Sequence, residues 1–217
     1  MKMDTDLRGD VEKELEWDPR FDAGDIGVAV KAGVVTLSGE VRSYAERWAA
    51  QDAAQLVSGV KAIANEIEVK LLAGNHRSDT ELATAALSAL RSHVGIPMAD
   101  IKLTVNKGWI TMSGHVPFWY QKQEAENTVR NLQGVIGIAN DLTVKPAVST
   151  VDVKTHIEDT FRRHAQVDAD KIRIQVVGST VTLEGEVDSW QERDDAEFAV
   201  WAAPGVTSVK DKLTIRA

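Results

Sequence analysis

The sequence predicts an α+β protein of three tandem αββαβ modules, each a small mixed three-stranded sheet with two helices on one face. Three observations predict it. The pattern apolar-Thr-apolar-x-Gly-x-Val occurs at Val35–Val41, Ile110–Val116 and Val181–Val187. A second glycine follows each motif glycine by 20 residues, pairing Gly39 with Gly59, Gly114 with Gly134 and Gly185 with Gly205. Offsets of 75 and then 71 residues align the apolar positions of all three copies without a gap. Self-similarity at a fixed period is the signature of a repeat architecture. The repeat units run 4–70, 79–145 and 150–216, and the domains drawn around them are 1–72, 73–146 and 147–217.

The first element places Leu7, Val11 and Leu15 on one helix face. They align with Leu82, Ala86 and Leu90, then with Val153, Ile157 and Phe161. Ser78-Asp79 and Ser149-Thr150 supply N-caps for the second and third copies. Two segments of alternating pattern follow, Ile26–Val30 and Val34–Val41, joined by a tight turn at Gly33, and they predict an antiparallel hairpin. Gly108 holds that turn place in the second copy. In the third the glycine moves one place earlier, to Gly178-Ser179, which predicts a different primed turn. A second helix buries Ala50, Ala54 and Val57, aligned with Ala125, Val129 and Leu132, then with Ala196, Val200 and Ala203. Gly59, Gly134 and Gly205 are expected at its C-terminal cap. A last strand, Val60–Val69 in the first copy, requires a right-handed crossover and a partly parallel sheet.

Composition excludes several classes of function. Hydrophobic residues make up 43% and charged residues 27% of 217, ordinary globular values. There is no cysteine, hence no disulfide, thiolate metal site or cysteine nucleophile. A net charge of −8 opposes general nucleic-acid binding, which depends on neutralising phosphates. No apolar run approaches the ~18 residues of a transmembrane helix. The N-terminal residues contain no apolar signal core, and the expectation from them is a cytoplasmic protein, peripheral at the membrane if it meets one.

With its repeated motif, its spaced glycines and the steps Val60–Asn65 and Val135–Asn140, the chain resembles a tandem of BON domains, named for bacterial osmotically inducible and nodulation proteins. The step Val206–Asp211 is read as a departure, with Asp one place later than Asn. The resemblance implies an αββαβ fold and a non-enzymatic role. It also implies an association with envelope stress and with phospholipid surfaces, hydrophobic ligands or larger proteins.

No catalytic, metal or cofactor site is expected. His76, His93, His115, His156 and His164 form no ligand pair at metal spacing, and no glycine-rich loop opens a helix to cradle phosphate. Glu14-Leu15-Glu16 and Asp194-Asp195 fit solvated helix faces.

Residues that differ between copies are the stronger functional candidates. Five places after the motif glycine stands an aromatic in every copy, Tyr44, Trp119 and Trp190, expected to seal the start of the second helix. Eight places after it stands a cation, Arg47, Lys122 and Arg193, which opposes the helix dipole and calls for a partner: Glu40 or Glu186 within the domain, or a lipid headgroup or acidic partner outside it. Only the second copy flanks its aromatic with two more rings. Phe118, Trp119 and Tyr120 beside Lys122 form the candidate ligand- or membrane-binding set, since Phe118 replaces Ser43 and Ser189, and Tyr120 replaces Ala45 and Gln191. That copy is also the least acidic. A second set, Trp48, Phe198 and Trp201, projects from one outward helix face and is the candidate partner interface, between domains or in a homo-oligomer. The function expected is that of a non-enzymatic, stress-associated protein that binds phospholipid or a hydrophobic ligand. The alternative is a soluble protein-interaction scaffold.

Overall fold

Each repeated motif forms the middle strand of a three-stranded sheet. A computed structural model describes residues 3–145, 157, 171–203 and 205–216. The first module runs α1 (Asp4–Trp17), β1 (Ile26–Lys31), β2 (Val34–Val41), α2 (Tyr44–Gln55) and β3 (Ala62–Val69). The second repeats it as α3 (Asp79–Ser92), β4 (Ile101–Asn106), β5 (Trp109–Val116), α4 (Trp119–Arg130) and β6 (Gly137–Val144). The third supplies β7 (Ile172–Val177), β8 (Thr180–Val187), α5 (Trp190–Trp201) and β9 (Ser208–Ile215). Its expected first helix, with Ser149-Thr150, Val153 and Phe161, lies outside the described residues, as do residues 146–149, His156 and His164. Ile157 is described and is buried.

The sheet orders are β1-β2-β3, β4-β5-β6 and β7-β8-β9. β2 pairs antiparallel with β1 and parallel with β3, and β5 does the same with β4 and β6. Leu7, Val11 and Leu15 of α1 and Ala50 and Ala54 of α2 meet Val35 and Leu37 of β2 in one buried cluster. Leu82, Ala86, Leu90, Ala125 and Val129 are buried in the second module, together with Ile110 and Met112. In the third, Ala196 and Val200 are buried, as are Val181 and Leu183.

The motif glycine is required by two independent constraints. Gly39, Gly114 and Gly185 have φ of 126°, 122° and 146°, a region that L side chains rarely adopt. A Cβ at these positions would stand 2.0, 1.9 and 2.2 Å from the carbonyl oxygens of Asp25, Asp100 and Lys171, the residues just before β1, β4 and β7. The strand start is thus pressed against bare backbone.

The hairpin turns follow the expected chemistry. Ala32 and Gly33, and Lys107 and Gly108, all have positive φ, the signature of a type I′ turn. In the third module Gly178 has φ 62° and Ser179 is not in the positive region, which fits type II′. Asp4, the first residue of α1, accepts from the turn amides of Ala32 and Gly33, and Asp79 accepts from those of Lys107 and Gly108. One carboxylate therefore ties the helix start to the I′ turn. The aligned residue in the third copy is Thr150, which has no carboxylate to offer.

Three expectations are corrected. Helices α2 and α4 end at Gln55 and Arg130, and Gly59 and Gly134 sit in the turn that follows rather than at the cap. The third strand begins at Ala62, after that turn, and not at Val60. Asp211 is the fourth residue of β9, as Asn65 is of β3 and Asn140 of β6, so it occupies the Asn position and is not displaced by one.

The chain divides into two compact units, one of Met1–His76 with Asp188–Gln191 and Ile215–Ala217, the other of Arg77–Val187 with Glu192–Thr214. In the first, Trp190 packs against the α1–α2 core, and its indole Nε1 donates to the Val60 carbonyl at 2.9 Å. In the second, Trp119 stacks on Trp201 with ring centroids 5.9 Å apart and planes 5° apart, and meets Phe198 edge-on at 5.7 Å. The expectation that this aromatic position seals its own helix is thereby corrected for Trp119 and Trp190, which engage residues of another copy.

Two predictions follow from this packing. Gly114→Ala should destabilise the protein by at least about 2 kcal/mol, because left-handed backbone strain adds to the collision with the Asp100 carbonyl. An unchanged denaturation midpoint would show that the strand start yields instead. Trp119→Ala and Trp201→Ala should each cost about 1–2 kcal/mol, and the double variant should lose little more than either single one. A fully additive loss would mean that the two rings are independent.

Candidate functional site

The second module places an exposed aromatic pair where the other modules carry small or polar residues. Phe118 is the residue before α4, in extended conformation, and Tyr120 is the second residue of the helix. Their rings stack at 5.9 Å with planes 21° apart, and both are about half exposed, at 54% and 49%.

Phe118 stands where a capping hydroxyl belongs. In the first module Ser43 accepts from the Glu46 amide at 3.2 Å while Glu46 accepts from the Arg42 amide at 2.9 Å. In the second, the Gln121 side chain accepts from the Phe118 amide at 3.1 Å, but Phe118 has no side-chain oxygen to return the bond. Losing an N-cap hydroxyl costs roughly 0.5–2 kcal/mol. The fold gains nothing visible from an exposed ring at this position.

The loop that carries a third exposed apolar residue, Val94, reaches this pair. Gln121 is buried, and its Nε2 donates to the Gly95 carbonyl at 2.9 Å, which holds the loop after α3 against the start of α4. A Cβ on Gly95 would stand 3.9 Å from the Tyr120 ring. Val94, beside it, is completely exposed. Its sequence equivalents are Pro19 and Ala165. His93 borders the group, with Nε2 at 3.3 Å from a Glu124 carboxylate oxygen. Sequence reasoning missed Val94. Only its place in the five-residue loop, 93–97, that meets Tyr120 marks it, and that placement is a tertiary fact.

The other expected site residues separate from this rim. Trp119 is taken up by Phe198 and Trp201. Lys122, two residues beyond Tyr120 on the helix, projects to the opposite side. It is half-buried, and its carbonyl accepts from the Asn140 side chain at 2.9 Å. The corresponding Arg47 donates to the Asn65 carbonyl at 3.0 Å, and Arg193 pairs with Asp211 at 2.5 Å. In the first and third modules the partner of this cation is therefore the residue at the Asn position of the last strand, and Glu40 pairs instead with Lys70.

Within the second interface set, Phe198 remains 46% exposed beside the stacked indoles. Trp201 is half-buried, and its Nε1 donates to Glu197 at 3.1 Å. In the first unit the Arg20 guanidinium stands over the Trp48 ring, 6.0 Å from its centroid. Arg20 also bonds Asp18 and Asp52. Its hydrogen bonds hold the Asp18 carboxyl below the usual carboxylate range against the opposing effect of burial. Trp109, which sequence reasoning also passed over, covers Gly137 on the neighbouring strand, where a Cβ would stand 2.5 Å from the ring.

Among the described residues no group of three or more His, Asp or Glu side chains could hold a metal ion. No helix described is long and apolar enough to cross a membrane.

The same three-module organisation is found by comparison with known proteins. The BON domain family model matches residues 3–70, 78–146 and 149–217. Osmotically-inducible protein Y of Escherichia coli (strain K12) is 30% identical, over 64% of this chain and 74% of that protein. Among solved structures, CdsD, a structural protein of the type III secretion system of Chlamydia trachomatis, aligns at 14% identity over 97% of this chain and 92% of its own, with a TM-score of 0.27. A CdsD C-terminal domain structure aligns at 13% identity over 100% of both chains, also at 0.27, and superpositions this poor add nothing to the fold described above. Through family matches that span almost its whole length, the chain belongs to the BON domain family, as a tandem of three copies.

Proposed function

We propose that this protein is a stress-associated, non-catalytic binding protein that attaches to phospholipid surfaces through the Val94–Phe118–Tyr120 rim of its second module. The observation that carries the reading is the exchange of a helix-capping hydroxyl for an exposed ring at Phe118, with Tyr120 stacked on it and Val94 exposed in the loop that meets Tyr120. Aromatic rings favour the headgroup level of a bilayer, where one end is apolar and the other wet. The stress association rests on the likeness to an osmotically inducible protein. Attachment through such a rim is peripheral.

Charge shapes the expected behaviour. The chain carries −8 overall, and the second module has the least negative share. Approach to an anionic surface is opposed over a Debye length of about 10 Å at 0.1 M salt, so insertion of the rings must supply the affinity. Added salt screens that repulsion and should not weaken attachment.

A second reading, a protein-interaction scaffold, is favoured by one observation. Phe198 stays half-exposed on α5 next to the Trp119–Trp201 stack, an apolar step at which another protein surface can close.

Vesicle co-sedimentation separates the two readings. The intact chain should pellet with phospholipid vesicles, and Phe118→Ser with Tyr120→Ala, the residues of the first module, should weaken binding at least about tenfold, since each buried ring contributes about 1.5–3 kcal/mol. The same variant should keep its thermal stability or gain some, because a capping hydroxyl is restored. Unchanged vesicle binding in the variant overturns the rim. No binding of the intact chain to neutral or anionic vesicles, with a mass in light scattering that falls on Phe198→Ser, leaves the scaffold reading.

A further inference from the structure

The loop that carries Val94 begins at His93, the residue that caps the end of α3. A Cβ on Gly95 would stand 3.5 Å from the His93 ring and 3.9 Å from the Tyr120 ring, so the imidazole borders the rim. Its Nε2 lies 3.3 Å from a Glu124 carboxylate oxygen, with the two side chains 39% and 43% exposed. Nδ1 is buried and has no hydrogen-bond partner, so no donor holds the ring in its neutral form. The first module carries Asp18 and Ala49 at the aligned places, and the histidine–carboxylate pair is therefore not a requirement of the shared fold. The third copy aligns His164 with His93 and Asp195 with Glu124, and His164 lies outside the described residues.

We propose that His93 is a proton switch for this rim, and that its protonation strengthens attachment to anionic phospholipid as pH falls. The inference rests on the phospholipid reading above. Histidine is the side chain whose charge changes between about pH 5 and 8. While His93 is neutral, Glu124 on α4 keeps its negative charge beside rings that must enter an anionic interface. Protonation offsets that charge from 3.3 Å and leaves the exposed Arg91, in the last turn of α3, in local excess. Tyr120 is the other titratable side chain of α4 that meets this loop, and residues 94–97 contain none. His115 and Asp100 form a second pair at 3.2 Å, but His115 alternates along β5 with the buried Met112 and Val116 and so lies on the sheet face away from the helices. Position gives His93 its effect. The chain's overall −8 opposes an anionic surface, and screening confines a single charge to about 10 Å at 0.1 M salt. A charge change acts on insertion only where it stands beside the inserting residues.

Co-sedimentation of the full chain with phosphatidylglycerol vesicles and with phosphatidylcholine vesicles, at about pH 7.5 and about pH 5.5 and equal ionic strength, tests the switch. One added positive charge at an anionic surface should tighten binding to phosphatidylglycerol about fivefold at the lower pH, with little change on phosphatidylcholine. His93→Gln keeps a polar side chain without the charge and should lose most of that step. His115→Gln removes the second pair and should keep it. Glu124→Gln should bind phosphatidylglycerol more tightly than the intact chain already at the higher pH. A full step in His93→Gln, an equal step on both lipids, or unchanged binding of Glu124→Gln at the higher pH overturns the switch and leaves the rim reading standing. A step that persists after Phe118→Ser with Tyr120→Ala, or no binding of the intact chain at either pH, overturns the rim reading and this inference together.

Discussion

Everything in each module depends on one close approach, that of the carbonyl before the first strand to the bare Cα of the motif glycine. Asp25 against Gly39, Asp100 against Gly114 and Lys171 against Gly185 make the same contact at under 2.3 Å from where a Cβ would stand. The glycine lies on the central strand, so it sets how the first strand enters the sheet. That entry sets the register, with Ile26 opposite Gly39 and Ile101 opposite Gly114. Register in turn decides which side chains face the helices, because a one-residue slip would invert the alternation. Val35 and Leu37 are fully buried only because the strand starts where the glycine allows. The carboxylate of Asp4 or Asp79 then fixes the far end of the hairpin from the helix above it.

Repetition makes most of this legible in the sequence. A single apolar-Thr-apolar-x-Gly-x-Val segment is compatible with many folds. Three at constant offsets align the helices, the hairpin turn and the last strand, and they align the exceptions too. The shift of glycine to Gly178 does correspond to a turn with positive φ at its first position only. The glycines after α2 and α4 were misplaced because a helix that ends in a further turn keeps its apolar spacing beyond its last residue. Val57 continues the period after Gln55 although the helix has already ended.

The candidate sites were less legible, and for a physical reason. A helix residue's direction follows from its position, but its partner does not. Tyr44, Trp119 and Trp190 share one place in the repeat, which suggested one role inside the module. Instead Trp190 packs on the first module's core and Trp119 on rings of α5. A position can be common to all copies because all copies use it to meet something else. The converse error concerns Lys122, which is adjacent in sequence to the aromatic triplet and lies on another side of the helix. Trp109 shows compensation that does not involve function at all. The large ring over Gly137 replaces the pairs Val34 with Ala62 and Thr180 with Ser208, so bulk on one strand is exchanged against its absence on the next.

Compensation is therefore the criterion that sorts one unusual residue from another. Trp109 has its glycine, and Trp201 has Trp119 and Glu197. Asp211 replaces asparagine and gains the Arg193 ion pair, while its other oxygen still accepts from the Leu213 amide, as Asn65 accepts from that of Ile67. In each case the altered residue is repaid by a neighbour in the same structure, and the module remains consistent at every level. Phe118 differs in kind. It gives up a cap that the first module keeps, exposes a ring to water, and stacks on Tyr120, which is itself half exposed and is replaced by Ala45 and Gln191 in the other copies. Two rings that cover one another incompletely still leave apolar surface to bury. A departure that the fold does not offset is the place where the reason for a residue lies outside its own chain.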